Sequence, residues 1–141
     1  MYTINEAQFL IPSTTWKDSS MNVFREPHSQ CSLIVARSEL SKGKTFKEEL
    51  KIQCEQLKQV ATNITISPFN IITLNETNYI EALETNISFL RSGSKFYQRQ
   101  LAILLADNNR ILLFSYTSPQ PFNDEDEQYW VKLKNSIVLT D

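Results

Sequence analysis

The chain has 141 residues, of which 41% are hydrophobic and 11% aromatic, enough apolar residues to fill the core of one ordinary domain. Only two glycines and five prolines occur, which excludes the composition of a disordered or low-complexity chain. The formal net charge of -2 gives no electrostatic reason to expect binding to nucleic acid or to an anionic membrane.

The N-terminal part predicts three strands, at residues 4–11, 19–25 and 31–38. In the second strand Met21 and Val23 share one side, because side chains alternate along a strand. The second and third strands are joined by a short loop with a proline, which predicts a hairpin. His28 lies in this loop and is expected to be solvated, since the sequence offers no second histidine to share a metal or a proton relay.

The next segment predicts a helix that begins at Thr45. Thr45 and Glu48 have the spacing of a capping box. An apolar stripe with helical spacing follows and predicts the buried face, with Cys54 as a small core residue; the stripe is Phe46, Leu50, Cys54, Leu57 and Ala61. Three glutamines lie off the stripe and fit either a solvated face or the edge of a binding groove: Gln53, Gln56 and Gln59.

The remaining chain predicts a largely antiparallel sheet and a second helix. Turn-like clusters at hairpin spacing separate four expected strands, at residues 64–74, 82–90, 96–106 and 111–117. The second helix is expected to start at Asn123 or Asp124, and its buried face carries Trp130, Leu133 and Ile137. The acidic run at residues 124–127 suits the positive end of a helix dipole better than a metal site.

The sequence carries no motif that predicts an enzyme. Glycines only at positions 43 and 93 exclude a glycine-rich phosphate loop, and no Cys/His metal set occurs. We therefore expect a single binding domain over residues 1–141, with no metal and no cofactor. The first nine residues have no basic start followed by an apolar run and are not expected to be a signal peptide, and no apolar run is long enough to span a bilayer. The two cysteines are accordingly expected to be reduced thiols of a cytoplasmic protein.

Several sequence patterns occur in the order seen in one known family. The patterns are Phe9-x-x-Pro12, Trp16-Lys-Asp18-x-Ser20-x-Asn22-x-Phe24, Ser32-Leu-Ile-Val-Ala-Arg37, Gln98-Arg-Gln100-Leu-Ala, a hydrophobic hairpin and a final helix with Trp130. In this order the chain resembles the DcrB-like family that includes the Eag chaperones of type VI secretion. The resemblance spans nearly the whole chain, and its most specific part runs from Trp16 to Phe24.

The resemblance implies both a fold and a function. The fold is α+β, a curved antiparallel sheet with two main helices packed on one face, as in the PsbP/Mog1 class. Eag chaperones are homodimers whose groove holds the N-terminal transmembrane helices of effectors with a PAAR domain, often Rhs proteins. They shield these helices from water and help to load the effector onto the VgrG spike. Such a protein would insert into no membrane itself.

The candidate binding residues come from the alternation along two strands. On the strand from Phe96, the set with Gln98 and Gln100 mixes amides with apolar residues, and we assign this side to the groove. The strand from Cys31 shows a similar mix, although a register error of one residue would exchange the two faces. The expected effector-binding residues are Met21, Val23, Ser32, Ile34, Ala36, Ser38, Gln98 and Gln100, with Gln56 and Gln59 at the rim.

Three other functions remain open at this point. The chain could be an immunity or adaptor protein that binds a folded effector domain through its surface. It could be an enzyme of unknown type, although the sequence shows no recognisable catalytic motif. It could also be an envelope protein of the DcrB-like family, but such a protein would need a lipoprotein or secretion signal, which this sequence is not expected to carry.

Overall fold

The computed structural model describes residues 1–16, 19–106 and 109–140. These ranges form two helices, α1 (Phe46–Gln56) and α2 (Asp124–Ser136), and a 3-10 turn, Leu57–Gln59, continues α1. They also form nine strands: β1 (Tyr2–Thr3), β2 (Gln8–Phe9), β3 (Asn22–Arg25), β4 (Ser32–Glu39), β5 (Thr62–Ile66), β6 (Asn70–Ile72), β7 (Tyr79–Arg91), β8 (Ser94–Leu105) and β9 (Arg110–Ser118).

Seven of the strands form one antiparallel sheet. Its order is β3-β4-β9-β8-β7-β5, and β6 pairs with the same edge of β7 as β5 does. Strands β1 and β2 pair only with each other. The predicted α+β class, the largely antiparallel sheet and the two helices are thus confirmed.

Two predicted strands are wrong in extent, because turns interrupt them. Residues 4–11 form no continuous strand, since the Ile4 amide donates to the Ala7 carbonyl at 2.9 Å and closes a turn between β1 and β2. Residues 64–74 are split at Ser67. The backbone carbonyl of Ser67 accepts from Thr85 Oγ1 at 2.7 Å, and its hydroxyl accepts from the Asn86 amide at 2.9 Å.

Helix α1 covers part of one face of the sheet. Thr45 caps it through the predicted capping box with Glu48. Two buried helix residues, Phe46 and Leu50, lie in one core cluster with residues from three strands, namely Leu83, Ala102, Leu104 and Ile111. We call the sheet face that carries Ala102 and Leu104 face A.

Helix α2 lies on the opposite face, which we call face B. Asn123 caps it, and the buried Trp130 packs in a cluster with Leu101 and Ile103. Leu101 and Ile103 alternate with Ala102 along β8, so they point to the other side of the sheet. The expectation that both helices pack on one face is therefore wrong. The physical reason is the unbroken apolar run at residues 101–105, which leaves both faces of β8 to be covered.

Candidate functional site

The strand register brings the predicted groove residues of β4 and β8 onto face A. Directly paired residues of neighbouring strands lie on the same face of a sheet. Across β8, β9 and β4, the paired rows are Gln98–Thr117–Ser32, Gln100–Ser115–Ile34, Ala102–Leu113–Ala36 and Leu104–Ile111–Ser38. Val23 of β3 extends the second row, because it pairs with Ile34. The expected residues on β3, β4 and β8 are thus neighbours in space, although 60 positions of sequence separate Ser38 from Gln98.

Helix α1 covers these rows unequally. Its first turns pack on the apolar rows that contain Ala102 and Leu104, and its last turn reaches the cluster of Ile87 and Phe89 through Cys54. The rows of Gln98 and Gln100 lie beside the helix. Between helix and sheet is a cleft of about 290 Å³, lined by Leu50, Gln53, Cys54, Gln56, Leu57, Ile87, Gln98, Gln100 and Leu113. The candidate site is this cleft together with the adjoining rows of face A, and it shares its face with α1 instead of facing away from both helices.

Side-chain hydrogen bonds hold the glutamines of the site. Gln100 Nε2 donates to Gln98 Oε1 at 2.7 Å, and Gln98 Nε2 donates to Thr117 Oγ1 at 2.9 Å. Gln53 Nε2 of α1 donates to Ser38 Oγ at 3.3 Å. A primary amide has two donor hydrogens and an acceptor oxygen with two lone pairs. These glutamines are therefore held in place and keep hydrogen-bonding capacity for a ligand.

The apolar part of the site lies toward the edge of the sheet. Ile34 and Ala36 are half-buried, whereas Met21 and Val23 are 61% and 42% exposed. Val23 belongs to β3, the edge strand on this side. The site thus joins a row of fixed amides to an exposed apolar margin, a combination that suits an apolar ligand with a few polar atoms.

The two rim glutamines differ in position. Gln56 is exposed and lines the cleft, whereas Gln59 is exposed at the end of the 3-10 turn and is not among the lining residues. The sequence analysis missed Ser115 and Thr117, which occupy the strand between the two predicted ones. The sequence feature that could have identified them is the set Leu113, Ser115 and Thr117 at every second position. This set combines small polar and apolar residues, as the predicted face of β4 does.

No group of three or more His, Cys, Asp or Glu residues is placed to hold a metal within residues 1–16, 19–106 and 109–140. Burial, and to a smaller extent the nearby Glu55 charge, raises the pKa of the Cys54 thiol. The neutral thiol is thereby favoured, and a thiol is a much weaker nucleophile than a thiolate. Over the same ranges, no helix has the length and apolarity to cross a bilayer.

Comparison with known proteins gives one family and one fold. The family model for DcrB matches residues 6–136. The solved structure of PA94 from Pseudomonas aeruginosa, a protein of unknown function described as a putative regulator, is 19% identical in sequence. The match has a TM-score of 0.70 and covers 99% of this chain and 96% of that one; at this identity the likeness shows the fold alone. No curated protein matches the chain.

Proposed function

Since this chain belongs to the DcrB family, we propose that it is an Eag-type chaperone of type VI secretion. In this proposal it binds the N-terminal transmembrane helices of a PAAR or Rhs effector on face A and shields them from water. It acts in the cytoplasm as a homodimer, without catalysis and without a cofactor. It meets the VgrG spike only through the effector it helps to load.

One observation carries the proposal: the uncovered part of face A combines fixed amides with exposed apolar side chains. Gln98 and Gln100 are tied to each other and to Thr117, while Val23 at the sheet edge remains open to solvent. A client helix from a membrane presents mainly hydrocarbon, which needs an apolar surface. A few directed polar contacts then set its register and orientation.

The dimensions of the site suit a helix. Neighbouring strands lie about 4.8 Å apart, so the four strands β8, β9, β4 and β3 span roughly 14 Å from the first to the last. An α-helix with its side chains is about 10–12 Å across. One copy of the protein therefore has room on this part of face A for about one client helix.

Exposing a membrane segment to water costs a large free energy, which a chaperone can reduce by covering the segment. A membrane segment has about 20 apolar residues, and each methylene group removed from water contributes about 0.8 kcal/mol. A segment of this kind left bare in water would aggregate. A surface that covers one side of such a segment, and later releases it, needs reversible apolar contact with no covalent step.

Co-purification from cells tests the proposal. The bait is this protein, and the prey is either the N-terminal region of a PAAR effector or the separate toxin domain of the same effector. We expect only the N-terminal region to be retained, and retention should require its apolar helices. Retention of the toxin domain alone would instead support an immunity or adaptor protein.

A further inference from the structure

The first 16 residues, which we call the arm, expose apolar side chains that the fold of one chain does not use. Leu10 is 80% and Trp16 63% exposed. No arm residue belongs to the three core clusters. The hydrogen bonds found in the arm are local, as from the Trp16 amide to the Ser13 carbonyl at 3.3 Å. The arm thus contributes little to the core, although it contains Phe9, Pro12 and Trp16, which the sequence analysis singled out.

Face B carries an open cleft of about 1130 Å³, which we call the aromatic cleft. It lies between the β3–β4 loop and the segment that leads into α2. Its apolar lining residues are Phe24, Pro27, Leu33, Tyr116, Pro119, Pro121 and Tyr129. Phe24 is 58% exposed, so a large aromatic ring on the cleft wall faces solvent.

We propose that the arm of one copy of this protein docks in the aromatic cleft of a second copy, with the two copies exchanging arms reciprocally. Aromatic and proline surfaces suit the rings of Phe9 and Trp16. A buried indole N–H also requires an acceptor, and the residues that line the cleft include Glu26 and Glu125, whose carboxylates can accept a hydrogen bond. One contact thereby covers two exposed apolar surfaces, the arm and the wall of the cleft, which single soluble chains rarely expose together.

The size of the contact favours a second copy as the occupant. Stable interfaces use about 20–30 residues on each side. Each copy contributes both an arm of 16 residues and a cleft lined by 18 residues, which together exceed that number. Each copy gives one arm and receives one arm, so the contact is self-complementary. A dimer with a two-fold axis then leaves no arm and no cleft free to bind a third copy. The proposal goes beyond client binding, because the arm and the aromatic cleft lie outside the candidate site on face A.

Cys31 provides a native reporter, since its side chain is half-buried and lines the aromatic cleft. Three single variants, Phe9→Cys, Leu10→Cys and Trp16→Cys, place a second thiol along the arm. We expect at least one of them to form, under mild oxidation, a disulfide-linked species of twice the chain mass on a non-reducing gel. Adding Cys31→Ala should abolish this species. Ile80→Cys, at an exposed residue outside the arm and the cleft, is the matched control and should not produce it.

Two outcomes would overturn the exchange. A Cys31-dependent product of single chain mass would place the arm in the cleft of its own chain. Absence of a Cys31-dependent product in all three variants would show that the arm does not dock in the cleft. Light scattering on the triple variant Phe9→Ser, Leu10→Ser and Trp16→Ser adds an independent measurement, with loss of the dimer expected. Binding of an effector helix by the same triple variant is measured alongside. If the variant still binds the helix on face A, the chaperone function stands whether or not the arm exchange fails.

Discussion

Gln98 and Gln100, two residues apart on β8, are joined side chain to side chain on face A by a hydrogen bond of 2.7 Å. Gln98 in turn donates to Thr117 of β9. Residues at positions i and i+2 of a strand point to the same side, so one strand presents two amides in a row. Tied amides have fewer conformations to lose on binding, which lowers the cost of ordering the site around a ligand.

Replacing Gln98 by methionine should weaken client binding with little effect on the fold. The change removes one hydrogen bond on each side of Gln98, and each contributes about 0.5–1.5 kcal/mol net. Gln98 is only half-buried, so water can hydrogen-bond to Gln100 and Thr117 in its place. We therefore expect Tm to fall by a few degrees. Affinity for an effector helix should fall roughly tenfold, equivalent to about 1.4 kcal/mol. Thermal melting measures the change in Tm and calorimetric titration measures the change in affinity, and Gln128→Met on the exposed surface of α2 is the control. Unchanged affinity would remove the amide row from the binding site.

A charge at the apolar margin should abolish client binding while the protein still folds. Val23 is 42% exposed and Ile34 is half-buried beyond α1, so an empty site leaves a new carboxylate partly hydrated. Against hydrocarbon the same charge would be buried without a partner, which costs several kcal/mol. We expect Val23→Asp and Ile34→Asp to lose the effector in co-purification and to melt cooperatively. Val131→Asp, at an exposed residue of α2, should retain it. Val23→Asp chains that melt normally and still bind would show that the client lies elsewhere.

The elements that could be predicted from sequence are those encoded by local chemistry. The predicted capping box formed at Thr45, and the second helix begins where it was expected, with Asn123 as its cap. The alternation along β8 correctly placed Gln98 and Leu101 on opposite faces of the sheet, since a strand has only two sides. The side chains of Gln98, Ile34 and Val23 also share a face, because the antiparallel register keeps neighbours together.

The elements that could not be predicted depend on contacts between distant parts of the chain. The sheet order places β4 beside β9, a pairing that hairpin spacing does not suggest. The break at Ser67 depends on hydrogen bonds to Thr85 and Asn86. The face that each helix takes depends on its contacts with distant strands such as β8, and no periodicity within α2 carries that information.

Helix α2 should depend on an ion pair with β7. Lys134 Nζ lies 2.6 Å from Glu84 Oε2, which also accepts from Trp130 Nε1 at 3.3 Å. Both charged side chains are about one-fifth exposed, so Lys134→Met leaves a largely buried carboxylate with one neutral donor. We expect a loss of about 1–2 kcal/mol and a Tm lower by roughly 5 °C. Lys132→Met, at an exposed position of the same helix, should stay within about 0.5 kcal/mol. Equal Tm values for the two variants would mean that the ion pair does not stabilise the helix.

The protein should lose stability in alkali through Tyr116. Burial, followed by the hydrogen bond that Tyr116 Oη donates to Asp126 Oδ1 at 2.7 Å, raises the pKa of this phenol above its ordinary value. A raised pKa in the folded state means that the unfolded chain releases its proton first. The stabilisation is therefore complete below about pH 10, the ordinary pKa of tyrosine, and is lost as pH rises above it. Burial also raises the pKa of Tyr129, which acts in the same direction.

Tyr116→Phe tests this account, because it removes the titrating group and keeps the ring against Trp130, whose centroid is 6.4 Å away. At pH 7 the variant should be less stable by about 1–2 kcal/mol, owing to the lost hydrogen bond to a charged acceptor. Between pH 7 and a pH above 10, however, it should lose less stability than the unmodified protein. Urea unfolding at both pH values measures the two differences. If both proteins lose the same free energy of unfolding over that interval, Tyr116 does not control the alkaline limit.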